Sequence, residues 1–204
     1  MINNFYENPV LIFWTGGYDS TFRLCQLLIR YRVPVQPIYI SDKYLDNKKS
    51  SKTRRHNHVQ ELNSQKEIIQ KLHTQFKFTK KLLKKTIILE EVNYDEEIKK
   101  NMILLNQKKY VRRAKCQYGA MAQVTKNMDK YIEVCAEIGG FIHKRLKDKL
   151  KCNKKSCNYK DFVFDIKSDD NPLVIFNKFV LPLIDYNKED MFNEAKQYNY
   201  EKIL

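Results

Sequence analysis

The residues with the clearest chemical potential lie near the start of the chain, around the adjacent glycines Gly16 and Gly17. They separate the apolar run 10–14 from a segment that carries hydroxyl groups and a carboxylate: Tyr18, Asp19, Ser20 and Thr21. The whole chain has five glycines, so a pair at one position predicts a backbone that turns tightly or admits a ligand closely. A glycine loop that leads into a helix presents free N–H groups and the positive end of the helix dipole. The predicted chemistry is the binding of an anion, and the expected anion is a nucleotide phosphate.

Two common phosphate-binding motifs do not occur in this sequence. No GxxxxG pattern is followed by lysine and then Ser or Thr, and no GxGxxG pattern is present. The glycine loop is therefore neither a Walker A loop nor a dinucleotide-binding loop.

Residues 15–21, with the sequence TGGYDST, resemble the SGGxDS(S/T) signature of the PP-loop superfamily of ATP pyrophosphatases. Thr15 replaces the first serine of that signature and keeps its hydroxyl group. The resemblance implies that the loop holds the phosphates of ATP, which is cleaved between its α- and β-phosphates while a substrate oxygen is adenylated. It also implies a Mg²⁺ ion bound through ATP and a three-layer, Rossmann-like sheet of the HUP type.

On this resemblance, the expected nucleotide-binding residues are the loop and the first turn after it: Thr15, Gly16, Gly17, Tyr18, Asp19, Ser20 and Thr21. Hydroxyl and backbone N–H groups balance a polyanion, glycines admit it, and a metal ion neutralises developing charge. Asp19 is the expected carboxylate for Mg²⁺ or for ordering the loop, and Asp19 and Ser20 are the expected catalytic residues. The alternative is that Asp19 or Ser20 only caps the first helix.

A second resemblance lies near the C-terminus. The run 180–184 and the residues KEDM at 188–191 are similar to a segment of the 7-cyano-7-deazaguanine synthases, which makes Lys188 an expected nucleotide-binding residue. Arg113, which precedes a predicted helix, is a further candidate on the same similarity, and Ile40, at the end of the predicted second strand, is another. A helix cap at Asn187 also explains part of the match. The family continues with a cysteine-bearing segment that closes a zinc site, and we expect this chain to lack that tail.

The spacing of cysteine and histidine argues against zinc elsewhere in the chain. Cys152 and Cys157 are five residues apart, whereas structural zinc sites favour CxxC pairs, and the chain has none. We therefore expect no zinc site, although Cys135 and His143 lie upstream. Three cysteines are expected in the core: Cys25, Cys116 and Cys135. Five cysteines without framework spacing are typical of reduced thiols.

Hydrophobic periodicity predicts the elements that position the loop. Strands are expected at 9–14, 35–40, 86–92, 131–136 and either 162–166 or 179–184, and helices at 20–32, 54–76, 96–107, 110–127, 141–150 and 188–198. The segment 41–53 is expected to be a loop, and Gly139-Gly140 a second tight turn. Strands that alternate with helices predict one α/β domain over 1–204, with a parallel sheet of about five strands and helices on both faces.

The composition is that of a folded protein with a large positive charge. The net charge of +14 attracts polyanions and makes RNA or DNA a candidate partner, while a lysine-rich genome is the alternative explanation. The apolar run 9–14 is far shorter than the ~20 residues of a membrane span, and too short for a signal-peptide core. We expect a cytoplasmic protein that does not enter the membrane.

The resemblance to the PP-loop superfamily implies an AMP-forming ligase. In such an enzyme ATP with Mg²⁺ is expected to bind in the loop, an oxygen of a small-molecule substrate attacks the α-phosphorus, pyrophosphate leaves, and an amine, ammonia or sulfur donor then displaces AMP. The second resemblance implies the ligase or amidotransferase chemistry found in queuosine biosynthesis. Two alternatives stay open: a tRNA-modifying PP-loop enzyme, and a nucleotide- or RNA-binding protein without turnover.

Overall fold

The computed structural model describes residues 9–41, 58–107, 117–153, 161–167 and 171–204. Its strands form one sheet: β1 (Val10–Phe13), β2 (Val35–Ile40), β3 (Ile87–Leu89), β4 (Ile132–Glu133), β5 (Leu150–Asn153), β6 (Asp161–Phe164) and β7 (Phe179–Val180). Their order across the sheet is β3-β2-β1-β4-β7-β6-β5. The neighbours from β3 to β7 pair in parallel, whereas β6 pairs antiparallel with β7, and β5 antiparallel with β6.

The prediction of a wholly parallel sheet of about five strands is therefore wrong in strand count and in strand direction. Both candidates for the fifth strand form strands, as β6 and β7. The helix predicted at 141–150 stops at Leu146, a 3-10 turn covers Lys147–Lys149, and Leu150 begins β5 opposite Phe164. Such a strand is stabilised by its neighbour in the sheet rather than by a local pattern, so periodicity does not reveal it.

The helices are α1 (Tyr18–Cys25), which continues as a π-helical turn (Gln26–Arg30), α2 (His58–Gln75), α3 (Thr79–Leu82), α4 (Glu96–Gln107), α5 (Gln117–Met128), α6 (Phe141–Leu146) and α7 (Lys188–Gln197). The predicted helices 96–107 and 188–198 are confirmed to within one residue. The predictions for 54–57, 110–116 and the loop 42–53 fall outside the described residues. Within the described ranges, no helix is both long enough and apolar enough to cross a membrane.

Helices cover both faces of the sheet, and β1 shows why. Ile12 and Trp14 belong to the apolar cluster that contains residues of α1, α2 and α7, while Phe13 belongs to a second cluster with residues of α4, α5 and α6. Successive side chains of a strand point to opposite faces, so a strand that is buried on both sides reads as one apolar run. The fold is α/β, and β1 lies in its interior with the glycine loop at its carboxyl end.

Candidate nucleotide site

The glycine loop lies where the strand order changes direction. From β1 the chain passes to β2 and β3 on one side, and β4 then occupies the other side of β1. In open α/β sheets, ligands bind at the carboxyl ends of the strands at such a switch point. This rule predicts a ligand-binding crevice between the segments that follow β1 and β4, named here the β1–β4 crevice.

The backbone of the loop leaves the start of α1 without a side-chain cap. Gly16 has a φ of 81°, and Gly17 is extended, with a φ of −75° and a ψ of 163°, before the helix begins at Tyr18. Asp19 lies inside the first turn, and Ser20 Oγ donates a hydrogen bond to Gly17 O at 3.2 Å, so neither side chain caps the helix. The first N–H groups of a helix have no carbonyl partner within it, and among the described residues no side chain caps them here, so they can receive an anion.

Helix α2 packs directly over Gly16. A Cβ atom added to Gly16 would lie 3.3 Å from Glu61 O and 3.3 Å from Gln65 Cγ. Gln65 is buried, and its Nε2 donates a hydrogen bond to Trp14 O at 3.0 Å. The loop is thus held from one side by α2, while Gly17 on the other side is exposed.

Three charged side chains meet at the mouth of the crevice. The Lys188 ammonium, from the start of α7, forms ion pairs with Asp19 of α1 and, at 3.0 Å, with Glu137, which follows β4. Burial alone would lower the pKa of Lys188, but the hydrogen bonds and charges of the two carboxylates outweigh it and raise that pKa. Lys188 Nζ also lies 4.9 Å from the centre of the Tyr18 ring. Residues from three separate elements therefore converge beside the uncapped end of α1.

A buried polar network joins the three elements that carry these charges. Arg23 of α1 makes two hydrogen bonds to the Glu133 carboxylate of β4, at 2.8 and 2.6 Å, and both side chains are almost fully buried. Arg23 also donates to Gln26, whose Nε2 donates to Glu194 of α7 at 2.7 Å. The network fixes α1, β4 and α7 relative to one another, and so positions Asp19, Glu137 and Lys188 indirectly.

The protonation of two neighbouring groups follows from their surroundings. Burial raises the pKa of the Tyr18 phenol, with the Lys188 charge opposing it and the Asp19 and Glu137 charges adding to it. Burial and the Glu133 charge raise the pKa of the Cys135 thiol well above its usual range. Both groups are therefore neutral at pH 7, and Cys135 is not a thiolate nucleophile there.

The predicted site residues fall into different places in the structure. Thr15 is half-buried at the loop, where its Oγ1 accepts a hydrogen bond from Gly17 N at 3.3 Å. Thr21 is buried, and its Oγ1 accepts a hydrogen bond from the indole of Trp14 at 3.1 Å, so its hydroxyl faces the core rather than the crevice. Ile40 lies one strand away, at the carboxyl end of β2, and Arg113 falls outside the described residues.

The helix cap considered at Asn187 is present, beside Lys188. Asn187 Oδ1 accepts from Asp190 N at 2.8 Å, and Asp190 Oδ2 accepts from Asn187 N at 3.1 Å. This reciprocal pair explains part of the sequence at 187–190 structurally and fixes where α7 begins. Because Lys188 is the first residue of α7, the cap also fixes its backbone at the crevice mouth.

Glu137 and Gln65 are the residues that the sequence analysis missed. Glu137 lies in the segment that follows β4. The rule that ligands bind at a switch point would have indicated this segment once β4 was placed beside β1. Gln65 gives no comparable signal, because its contact with Trp14 depends on how α2 crosses the loop.

The carboxylates at the crevice suit a magnesium ion that binds together with a phosphate. Asp19 and Glu137 are 30% and 23% exposed and share one ammonium group, so one positive charge already lies between two negative charges. Mg²⁺ favours one or two carboxylates together with the phosphates of a substrate over a complete protein cage. Among the described residues, no group of three or more His, Cys, Asp or Glu side chains is arranged to hold a metal ion.

The structure describes the side chains of only two of the five cysteines. Cys25 is fully buried in the cluster beneath α1, and Cys135 is half-buried and packs against the same cluster, as expected of core residues. Cys116 and Cys157 lie outside the described residues, and the position of the Cys152 side chain is not described.

No protein-family model matches this chain, and no curated protein matches it in sequence. The likeness to the PP-loop enzymes therefore rests on the sequence motifs alone.

Replacing Gly16 with alanine tests the packing of α2 over the loop. Gly16 and Gly139 both have a φ of 81°, but a Cβ at Gly139 would meet nothing within 4 Å. We expect Gly139→Ala to cost about 1–2 kcal/mol through backbone strain, and Gly16→Ala to cost about 1 kcal/mol more through overpacking against Gln65. Denaturant unfolding followed by the fluorescence of Trp14, the single tryptophan, measures both values. Equal costs would show that α2 does not constrain the loop.

Proposed function

We propose that this protein binds ATP with Mg²⁺ in the β1–β4 crevice and transfers the adenylyl group to an oxygen of a small-molecule substrate. The observation that supports it best is the uncapped start of α1 after Gly16-Gly17, at a switch point, with Asp19, Glu137 and Lys188 at its mouth. A PP-loop fold of the HUP type and chemistry like that of the 7-cyano-7-deazaguanine synthases belong to the same proposal.

The proposed reaction forms a bond between the substrate oxygen and the α-phosphorus of ATP. The bond from that phosphorus to the oxygen shared with the β-phosphate breaks, and pyrophosphate leaves with the electron pair. An amine, ammonia or sulfur donor then displaces AMP from the adenylated substrate. Orientation and charge stabilisation supply the catalysis, and neither step needs a cysteine nucleophile.

The residues of the crevice have different roles in the proposed reaction, according to their chemistry. The N–H groups at the start of α1 receive phosphate oxygens, and the absence of a side chain at Gly17 leaves room for them. Asp19 and Glu137 would hold Mg²⁺, which neutralises the negative charge that develops on pyrophosphate. When ATP binds, the Lys188 ammonium would exchange its carboxylate partners for phosphate oxygens. Its positive charge therefore stays at the mouth of the crevice. The hydroxyl of Thr15 donates to a phosphate oxygen in this proposal.

Titration with Mg-ATP tests the proposal. Trp14 directly precedes the loop, so we expect nucleotide binding to change its fluorescence, and calorimetry measures the same affinity independently. Thr15→Val removes a hydroxyl from the loop and should weaken ATP binding about tenfold or more, as for the loss of a hydrogen bond to a charged group. Pyrophosphate release by coupled detection reports turnover.

Thr21→Val is the matched control for Thr15→Val. It removes a hydroxyl of the same kind, but one that is buried against Trp14. We expect its affinity for ATP to equal that of the native protein, while its stability falls by about 1 kcal/mol through the lost hydrogen bond. A native protein that shows neither heat nor a fluorescence change with Mg-ATP would overturn the proposal.

A further inference from the structure

A dense group of lysines lies opposite the crevice, at the end of the sheet where the parallel strands begin. No acidic residue occurs between Glu67 and Glu90, and this stretch carries six exposed lysines: Lys71, Lys77, Lys80, Lys81, Lys84 and Lys85. We name them the basic surface. Within the described ranges, none of the ion pairs involves these lysines.

The basic surface is part of the packed fold. Thr79 is fully buried, and Phe78, Leu82 and Leu83 pack against the apolar cluster beneath α1. Leu83 forms a parallel bridge with Val35, and Lys84 N donates to Val35 O at 2.9 Å. The apolar residues of 78–83 thus face inward, while the lysines among them face solvent. Since Val35 begins β2, the basic surface lies at the amino ends of the parallel strands. The glycine loop follows the carboxyl end of β1, so the two lie at opposite ends of the strands.

Further positive charge adjoins this segment. The Arg32 guanidinium, just before β2, lies 3.4 Å from the centre of the Phe78 ring. A shallow cleft of about 410 Å³ runs beside the end of α2 and is lined by Gln70, Lys71, Thr74, Gln75, Lys202 and Ile203. Amide, hydroxyl and ammonium groups, with the apolar side chain of Ile203, therefore line a concave site that adjoins the basic surface.

We propose that the basic surface binds the phosphate backbone of a nucleic acid, and that the adjoining cleft receives part of the same strand. Lysines act as point charges for phosphate and read no base sequence, so the binding is independent of sequence. Stable attachment to a membrane surface takes buried apolar groups in addition to lysines, whereas the apolar side chains of 78–83 pack inward. Nucleic-acid binding would be a function additional to the proposed adenylation. It uses the amino ends of the parallel strands, whereas the proposed ATP site lies at their carboxyl ends.

The test compares two variants of equal net charge. One replaces four lysines of the basic surface with glutamine: Lys80, Lys81, Lys84 and Lys85. The control replaces four exposed lysines elsewhere with glutamine: Lys99, Lys100, Lys130 and Lys144. Fluorescence anisotropy with labelled oligouridylate and labelled oligothymidylate, over a range of salt concentrations, measures binding and shows whether RNA or DNA is preferred.

We expect the native protein to bind with an affinity that falls steeply with salt. The basic-surface variant should bind about tenfold or more weakly at low salt, with a slope of log K against log salt that is smaller by about 2–3, as for four lost contacts to single strands. The control variant should keep most of the native affinity and slope.

Three results would overturn this inference. They are no binding of either oligonucleotide by the native protein, an equal loss in both variants, and binding only to vesicles of phosphatidylcholine and phosphatidylserine. Calorimetry with Mg-ATP on the same variants keeps the two proposals apart. The basic-surface variant should retain native ATP affinity, so either proposal is able to fail while the other stands.

Discussion

Replacing Asp19 with asparagine is expected to lower pyrophosphate release from ATP by about 100-fold, because it removes one of the two carboxylates proposed to hold Mg²⁺. The side chain keeps its size, and the helix start keeps its geometry, because Asp19 does not cap α1. What changes is one negative charge beside Glu137 and Lys188. Coupled detection of pyrophosphate, together with Mg²⁺ titration, measures the effect.

Two comparisons separate a metal-binding role for Asp19 from a structural one. Without Mg²⁺, the Asp19→Asn variant should bind ATP as well as the native protein or slightly better, because one carboxylate no longer repels the phosphates. Asp165 is an exposed carboxylate paired with Lys151 at 2.6 Å, so Asp165→Asn is a matched control that should leave turnover unchanged. Native pyrophosphate release in the Asp19→Asn variant would contradict the proposed role.

The candidate site could be predicted from the sequence where its residues are contiguous. The pair Gly16-Gly17 directly follows a strand that is buried on both faces, and both features are visible in one short segment. Glu137 could not be found in this way, because its role depends on β4 lying beside β1. The direction of the Thr21 hydroxyl depends on the buried indole of Trp14, which a motif does not encode.

The fold shows the same division between local and distant information. Helix α4 buries Ile98 and Leu105 on one face, and it could be placed to the residue from its periodicity. The antiparallel strands β5 and β6 could not, because their direction is set by pairing with β7 across the sheet. The central strand β1 combines both cases: its apolar run predicts a buried strand, and only the sheet order shows that it borders a crevice.

Replacing Glu133 with glutamine is expected to lower the free energy of unfolding by about 3–5 kcal/mol, as for a buried ion pair that loses one partner. Arg23 is 1% exposed, and the variant would leave its guanidinium buried without the carboxylate. A typical domain has only about 5–15 kcal/mol of stability, so the loss should lower the melting temperature markedly. Thermal unfolding followed by Trp14 fluorescence measures the change.

Two further variants show whether the loss comes from the buried charge. Glu96 pairs with Lys99 at 2.6 Å on the surface, so Glu96→Gln removes a comparable pair and should cost less than about 1 kcal/mol. The double variant Arg23→Met and Glu133→Leu removes both charges and should recover most of the stability. Because the network joins α1, β4 and α7, that stable variant should still bind ATP more weakly, with Asp19, Glu137 and Lys188 less firmly positioned. Native affinity for ATP in the double variant would show that the network stabilises the fold without positioning the crevice.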